Sequence, residues 1–307
     1  MAGTLYLGTS GFSYDQWKHG VFYPEGLKNR EMLSYYASRF PSVEINYTFR
    51  RFPTQKSLET WKAETPEGFR FTLKANQRIT HWKRLADVDQ DVRDFLELGR
   101  LLGDRLGTVL YQCPPTLTYD RALIESFVGY LPPTPRSAME FRHPSWVQAR
   151  DLLLEQGVAW CVAETDEHDP GPNDLSWEPF GFLRLRKNEY TDDELRGWAE
   201  RIRPALDAGS DNYCYFKHED DGPSTKMADP LRAIVGCPAC VSSRRTPGWP
   251  VNLRCVTAAR VPAPPRSRGR PPCDPARRGR RRHRRPARRT SPPSRGARRA
   301  GARRTFG

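Results

Sequence analysis

Thr108-Val-Leu-Tyr-Gln112, then Arg121-Ala-Leu-Ile-Glu-Ser-Phe-Val-Gly-Tyr-Leu131, then Ala138-Met-Glu-Phe-Arg142 form a strand pattern, a helix pattern and a second strand pattern in sequence order. The outer two are short apolar runs rich in β-branched or aromatic residues, and the middle one repeats at the helical period. Moving outward, the same order recurs. Strands are expected at Thr4 to Gly8, Val43 to Asn46, Phe69 to Lys74, Ala159 to Ala163, Gly181 to Leu185 and Asn212 to Phe216, which makes eight with the first two. Helical patterns fall between them at Arg30 to Phe40, Gln55 to Glu64, Asp89 to Leu102, Val147 to Gln156 and Asp192 to Leu206, with a short last one at Lys226 to Val235. Only the connection from Asp166 to Pro179 lacks a helical pattern. Eight strand–crossover units in this length predict an α/β fold of the (β/α)8 TIM-barrel type, where a doubly wound sheet would use five or six strands.

The chain divides by composition. Of its 307 residues, the last 71 carry 21 Arg, no Lys and one Asp, a charge of +20, while residues 1–236 stand at −6. The overall +14 therefore describes neither part. Residues 1–236 are expected to form the barrel. Residues 237–307, rich in Arg and Pro and without Glu, Gln, Ile, Met or Tyr, are expected to be a disordered basic tail. Arg without Lys is also what a shifted reading frame in GC-rich DNA would give. The rival reading is a polyanion-binding arm, in which Arg268-Gly269-Arg270-Pro271 resembles an AT-hook core. Cys237 and Cys240 have zinc-knuckle spacing, but Cys255 and Cys273 stand apart and do not complete a site. Cys113, Cys161 and Cys214 lie in apolar runs and read as reduced core thiols. With no run of 18 uncharged apolar residues and no signal-like start, the expectation is a cytoplasmic protein without membrane association.

A barrel gathers its chemistry at the C-terminal ends of its strands. There the sequence places Ser10; Glu44 and Asn46; Lys74 with His81 in the following loop; Gln112; Glu140, Arg142 and His143; Glu164 and Asp166; Arg184 and Arg186; and Lys217, His218 and Glu219. If the strands close into a ring, these groups share one pocket.

These same segments resemble the YecE-like family, a domain of unknown function with a TIM-barrel-type fold. The resemblance is carried by Gly8-Thr9-Ser10-Gly11-Phe12-Ser13-Tyr14, Phe22-Tyr23-Pro24-Glu25-Gly26-Leu27, Tyr35-Tyr36-Ala37, Val43-Glu44-Ile45-Asn46-Tyr47-Thr48-Phe49, Lys74 with Ile79-Thr80-His81, Tyr111-Gln112-Cys113-Pro114-Pro115 and Glu140-Phe141-Arg142-His143-Pro144-Ser145-Trp146. It covers residues 1 to about 235 and implies the barrel but no reaction. Glu164-Thr165-Asp166 departs from the Asp-Thr pair common there, and the tail from Cys237 has no counterpart in the family.

Two residues apart on one strand, Glu140 and Arg142 project from the same face as a charge pair, either a structural seal or part of a site. His143, held extended before Pro144, is a residue type suited to proton transfer and is expected within reach of Glu140 or Glu164. Lys74, Arg142, Arg184 and Arg186 make the mouth electropositive inside an acidic body, which points to a small anionic ligand. Glu44, Glu140, Glu164 and Asp166 would suit a hard divalent cation. No HExxH, Walker A or GxGxxG pattern is present. Among the flanking aromatics, Tyr14 and Trp146 are the stacking candidates, while the Tyr35-Tyr36 pair reads as core.

Three functions follow. The first is an enzyme, a hydrolase, lyase or isomerase acting on a small phosphorylated or otherwise anionic substrate. In it Glu140, His143 and Glu44 are catalytic, Lys74, Arg142 and Arg184 bind the anion, and Ser10, Tyr14, Asn46, His81, Gln112 and Trp146 complete the site, with a divalent metal as optional cofactor. The second is a nucleic-acid binding or DNA-processing protein, binding mainly through the tail. The third is a non-catalytic ligand-binding barrel.

Overall fold

The computed structural model describes residues 2–170, 178–217 and 223–236. They lie in a compact unit spanning Met1–Ala259; residues 237–307, and with them the AT-hook-like and cysteine motifs of the tail, lie outside the described residues. His218 and Glu219 lie outside them too.

Eight strands form one parallel sheet: β1 (Leu5–Thr9), β2 (Ser42–Ile45), β3 (Arg70–Lys74), β4 (Leu106–Gln112), β5 (Arg136–Glu140), β6 (Ala159–Glu164), β7 (Gly181–Leu185) and β8 (Asn212–Phe216). Neighbours run in the order β1-β8-β7-β6-β5-β4-β3-β2, so seven seams are parallel strand pairs. The eighth closes by other means. Ser10 bridges Glu44 just past the strand ends, and the Gly11 amide donates to the Glu44 carbonyl at 2.7 Å. Gly8 occupies the tightest point, where an added Cβ would lie 2.0 Å from the Ser42 carbonyl oxygen. The (β/α)8 barrel expected from the alternation is the observed fold.

The helices are α1 (Met32–Ala37), α2 (Tyr47–Arg50), α3 (Gln55–Ala63), α4 (Asp89–Gly99), α5 (Arg121–Gly129), α6 (Arg150–Glu155), α7 (Asp192–Asp207) and α8 (Pro223–Gly236). Their limits have local causes. The Asp120 side chain caps α5 by accepting from the Leu123 amide at 3.0 Å, and Thr191 with Glu194 forms a capping box at the start of α7. Leu195, Trp198, Ala199, Ile202 and Leu206 recur at helical spacing along α7 and are all buried, so this face is held by packing against the sheet. α4 stops at Gly99, short of the expected Leu102, because the chain tightens into a 3-10 turn and reverses at Gly103 with φ at 58°. The expected strand through Arg142 ends at Glu140, and the Pro144 turn that follows is capped by His143.

Period-two alternation sorts the strands into two cores. Outward residues such as Val43, Phe71, Val109, Met139, Val162, Leu183 and Phe216 pack under the helices. Inward, Leu110, Ala138, Ala159, Cys161, Phe182, Tyr213 and Tyr215 fill the barrel, with Tyr6 against them. Cys113, Cys161 and Cys214 are free thiols, all buried. Among the described residues no helix is long and apolar enough to cross a membrane.

Candidate functional site at the barrel mouth

Above the apolar filling sits a layer of hydroxyls. Tyr215 Oη lies 2.6 Å from Ser42 Oγ and 2.7 Å from Thr72 Oγ1. The next inward positions upward are Glu44, Lys74, Gln112, Glu140 and Arg184, and here the filling turns ionic. Arg184, 1% exposed, spans the mouth: Nη2 donates to Glu44 Oε1 at 2.8 Å, and Nη1 donates to Glu140 Oε2 and, at 3.2 Å, to Gln112 Oε1. Arg142 reaches back to Glu140 Oε1 at 3.1 Å.

Burial alone would raise the Glu140 pKa, but the charges of Arg184 and Arg142 and the Arg184 hydrogen bond outweigh it and hold the carboxyl down at about 2. The same two carboxylates raise Arg184 against its own desolvation. Lys74 is different. It is half-buried, its Nζ stands 4.1 Å from the centroid of the Phe49 ring, and that ammonium makes no hydrogen bond or ion pair among the described residues. Desolvation first and Arg184 second lower its pKa to about 8, against the pull of Glu44 and Glu140. Arg186 is also half-buried, and its guanidinium likewise makes no hydrogen bond or ion pair among the described residues. It is lowered by desolvation and by Arg184. His81, edge-on to Phe49 at 4.9 Å, is lowered by burial and then by Lys74 and Arg142.

A second cluster lies at the β1–β2 seam. Tyr14 Oη donates to the Ser10 carbonyl at 2.6 Å and hydrogen-bonds the Asn46 side chain; burial, then the nearby Glu44, raise its pKa. Gly11, at φ +95°, permits this approach, since a Cβ there would sit 2.1 Å from Tyr14 Oη. Ser10 Oγ, Glu44 Oε2 and Asn46 Oδ1 are buried and have no hydrogen-bond partner among the described residues.

The barrel thus brings Ser10, Tyr14, Glu44, Asn46, Lys74, His81, Gln112, Glu140, Arg142 and Arg184 to one opening. Two residues, Trp146 and Glu164, sit elsewhere than the sequence reading put them, and His143 stays beside Glu140 and Arg142 with one ring nitrogen engaged in its own loop. Trp146 is fully buried on the outer side, stacked on Phe141 at 4.2 Å, with its indole N–H given to the Leu117 carbonyl at 2.6 Å. Two helical-type turns follow β5 and tuck it under the wall. His143 turns toward its own loop: Nδ1 lies 2.8 Å from Ser145 Oγ and accepts from the Ser145 amide at 3.2 Å. Glu164, at an outward position of β6, binds Trp198 Nε1 at 2.8 Å and Lys187 at 3.0 Å, away from the mouth. The four acids considered for a divalent cation therefore do not converge. Arg184 spans Glu44 and Glu140, and no group of three or more His, Cys, Asp or Glu able to hold a metal occurs among the described residues.

β5 and β6 are in register only at Ala138–Ala159 and Met139–Trp160. Where they part, a cavity of about 740 Å³ opens from the mouth, lined by Glu140, Arg142, His143, Trp160 and Arg186 among others. That volume lies in the range of small-molecule sites.

Residues 6–248 match the family described as protein of unknown function DUF72, a match that runs past the compositional boundary at 236. The UPF0759 protein YunF of Bacillus subtilis is 29% identical over 261 aligned residues, covering 71% of this chain and 90% of its own. The UPF0759 protein YecE of Escherichia coli K12 is 30% identical over 132 residues, covering 43% of this chain and 47% of its own. Among solved structures, a DUF72 family protein from Thermotoga maritima superposes with a TM-score of 0.65 at 26% identity, over 76% of this chain and 99% of its own. One from Enterococcus faecalis superposes at 0.61 and 18% identity, over 76% and 96%.

Proposed function

This chain belongs to the DUF72 family of proteins of unknown function, and from that premise we propose that it is an enzyme that binds a small anionic substrate at the barrel mouth and moves a proton there through Lys74. The observation that carries the reading is the charge count around Arg184. Lys74, Arg142, Arg184 and Arg186 face two carboxylates, Glu44 and Glu140, and the charged ends of Lys74 and Arg186 make no hydrogen bond or ion pair among the described residues. Uncompensated positive charge held in a half-buried opening costs free energy until an anion enters.

Lys74 suits the proton because its pKa, about 8, keeps both ammonium and amine available near neutral pH. The amine form removes a proton from substrate; the ammonium returns it, or stabilises negative charge developing on a substrate oxygen. The sequence reading named Glu140, His143 and Glu44 as catalytic, with proton transfer by the first two. With Glu140 held ionised and one oxygen of each carboxylate spent on Arg184, the two acids serve better to fix the guanidinium. His143, with Nδ1 engaged by Ser145, faces the cavity as a secondary polar group.

The test is a thermal-shift titration of the full chain with inorganic phosphate, phosphate esters and carboxylates at constant ionic strength. A melting temperature raised by at least one class, and not by chloride, is expected; Lys74→Met and Arg186→Met each weaken the shift. For a ligand so identified, exchange of a carbon-bound proton with heavy water is followed by NMR, and its rate should climb with an apparent pKa near 8 and vanish in Lys74→Met. No stabilisation by any anion would end the reading.

A further inference from the structure

We infer that the anion taken at this mouth carries hydroxyl groups beside its charge, as in a polyol phosphate or a polyhydroxy acid; this deepens the proposed function and rests on its anion site. The three unpartnered oxygens Ser10 Oγ, Glu44 Oε2 and Asn46 Oδ1 are not scattered. Ser10 is bridged to Glu44 across the seam, and Tyr14 joins the other two: it donates to the Ser10 carbonyl and bonds the Asn46 side chain, with the Glu44 charge near enough to act on it. Ser10 is 1% exposed and Glu44 is 0% exposed.

The orientation of the Asn46 carboxamide is fixed by chemistry. Tyr14 spends its one proton on Ser10, so its oxygen accepts from Asn46, which makes the Asn46 atom facing it Nδ2 and leaves Oδ1 free. A carboxylate oxygen and a carboxamide oxygen are pure acceptors, and the ligand groups that satisfy them are donors. Neutral hydroxyls fit, because each can donate to Glu44 or Asn46 while accepting from Ser10. An ammonium donor would fit the acceptors but not the neighbouring Lys74 and Arg184. Buried polar atoms without partners are few in folded proteins and costly, so three around one tyrosine beside unpartnered cations describe a complementary surface: cations for the charged end and acceptors for the hydroxylated end.

Matched ligands test this. Affinities of the full chain for glycerol 3-phosphate and n-propyl phosphate, and for gluconate and hexanoate, are measured by calorimetry at fixed ionic strength. Within at least one pair the hydroxylated member should bind roughly tenfold tighter, the scale of one or two satisfied hydrogen bonds. Ser10→Ala and Asn46→Leu should each move that ratio toward one, and denaturation midpoints establish that the variants are folded. Equal affinities within both pairs in the unmodified chain overturn the inference and leave the anion site standing. So does a preference that persists undiminished in both folded variants. Binding of none of the four ligands overturns the inference and the proposed function together.

Discussion

Tyr36 donates its hydroxyl proton to the carbonyl oxygen of Ser42 at 3.0 Å, and the Tyr36 hydroxyl oxygen itself accepts from the Thr9 amide at 2.9 Å. One side chain from α1 thus stands in the β1–β2 seam where ladder bonds would run, and it lies beside Gly8, where a Cβ would lie 3.0 Å from that hydroxyl. Tyr36→Phe keeps the ring, which packs on Phe40 at 5.0 Å, and orphans a buried N–H and a buried C=O. The expected loss is about 2 kcal/mol, read by urea unfolding, with the slope of the transition unchanged. A loss near zero would mean that the seam does not depend on the hydroxyl.

Arg184 and its two carboxylates set the acid response. Because the native Glu140 pKa is depressed to about 2, the unfolded chain binds more protons between there and the ordinary carboxyl range. This group's contribution is full above about 4.5 and is lost as pH falls toward 2. Arg184→Met leaves Glu44 and Glu140 buried without their guanidinium, at a cost of about 3–5 kcal/mol at pH 7. Glu140 then loses the charge that held its pKa down, so the variant should regain part of the loss on acidification to pH 5. Denaturation series from pH 4 to 8 read the two slopes, and parallel curves would contradict the assignment.

Much of this was legible in the sequence because barrel strands are short and alternate with crossovers. All eight strands fall within two residues of their expected positions, and the inward set Glu44, Lys74, Gln112, Glu140 and Arg184 follows from period two once the strand ends are known. What local pattern does not carry is direction after a strand stops. His143 and Trp146 lie past the end of β5, where the Pro144 turn, not pleat, decides orientation, and Glu164 is outward by parity on a strand that runs one residue longer than expected. The role of Tyr36 had a signal, since a tyrosine at a fully buried helical position needs a partner for its hydroxyl. The partner itself, on another element, could not be read.

Lys74 predicts a stability gain from a loss of charge. Its native pKa of about 8 lies below the ordinary 10.5, so stability of the unmodified chain should rise with pH between those values. Below pH 8 the ammonium is a cost. Lys74→Met should therefore be more stable at pH 7 by roughly 1 kcal/mol, discounted for partial exposure and for the lost Phe49 contact, or about 2–4 °C in melting temperature. It should also lose the alkaline rise and bind phosphate more weakly. A destabilised variant would mean that Lys74 is held by favourable contacts and not by the demands of the site.

Gly11 separates backbone strain from the clash with Tyr14. Its φ of +95° disfavours any Cβ, and the nearest atom to that Cβ would be Tyr14 Oη at 2.1 Å. Gly68, at φ +78°, has nothing within 4 Å of the same construction and reports the backbone cost alone, about 1 kcal/mol for alanine. Gly11→Ala should cost more than Gly68→Ala by roughly 1–2 kcal/mol, the scale of a displaced buried hydrogen-bonding side chain. Displacing Tyr14 also frees the Asn46 carboxamide to rotate, so Gly11→Ala should erode selectivity for hydroxylated anions, whereas Gly68→Ala should leave it intact. Urea unfolding and calorimetry on the two variants read both effects. If the two alanines cost the same and selectivity survives in both, Tyr14 does not set the orientation of Asn46.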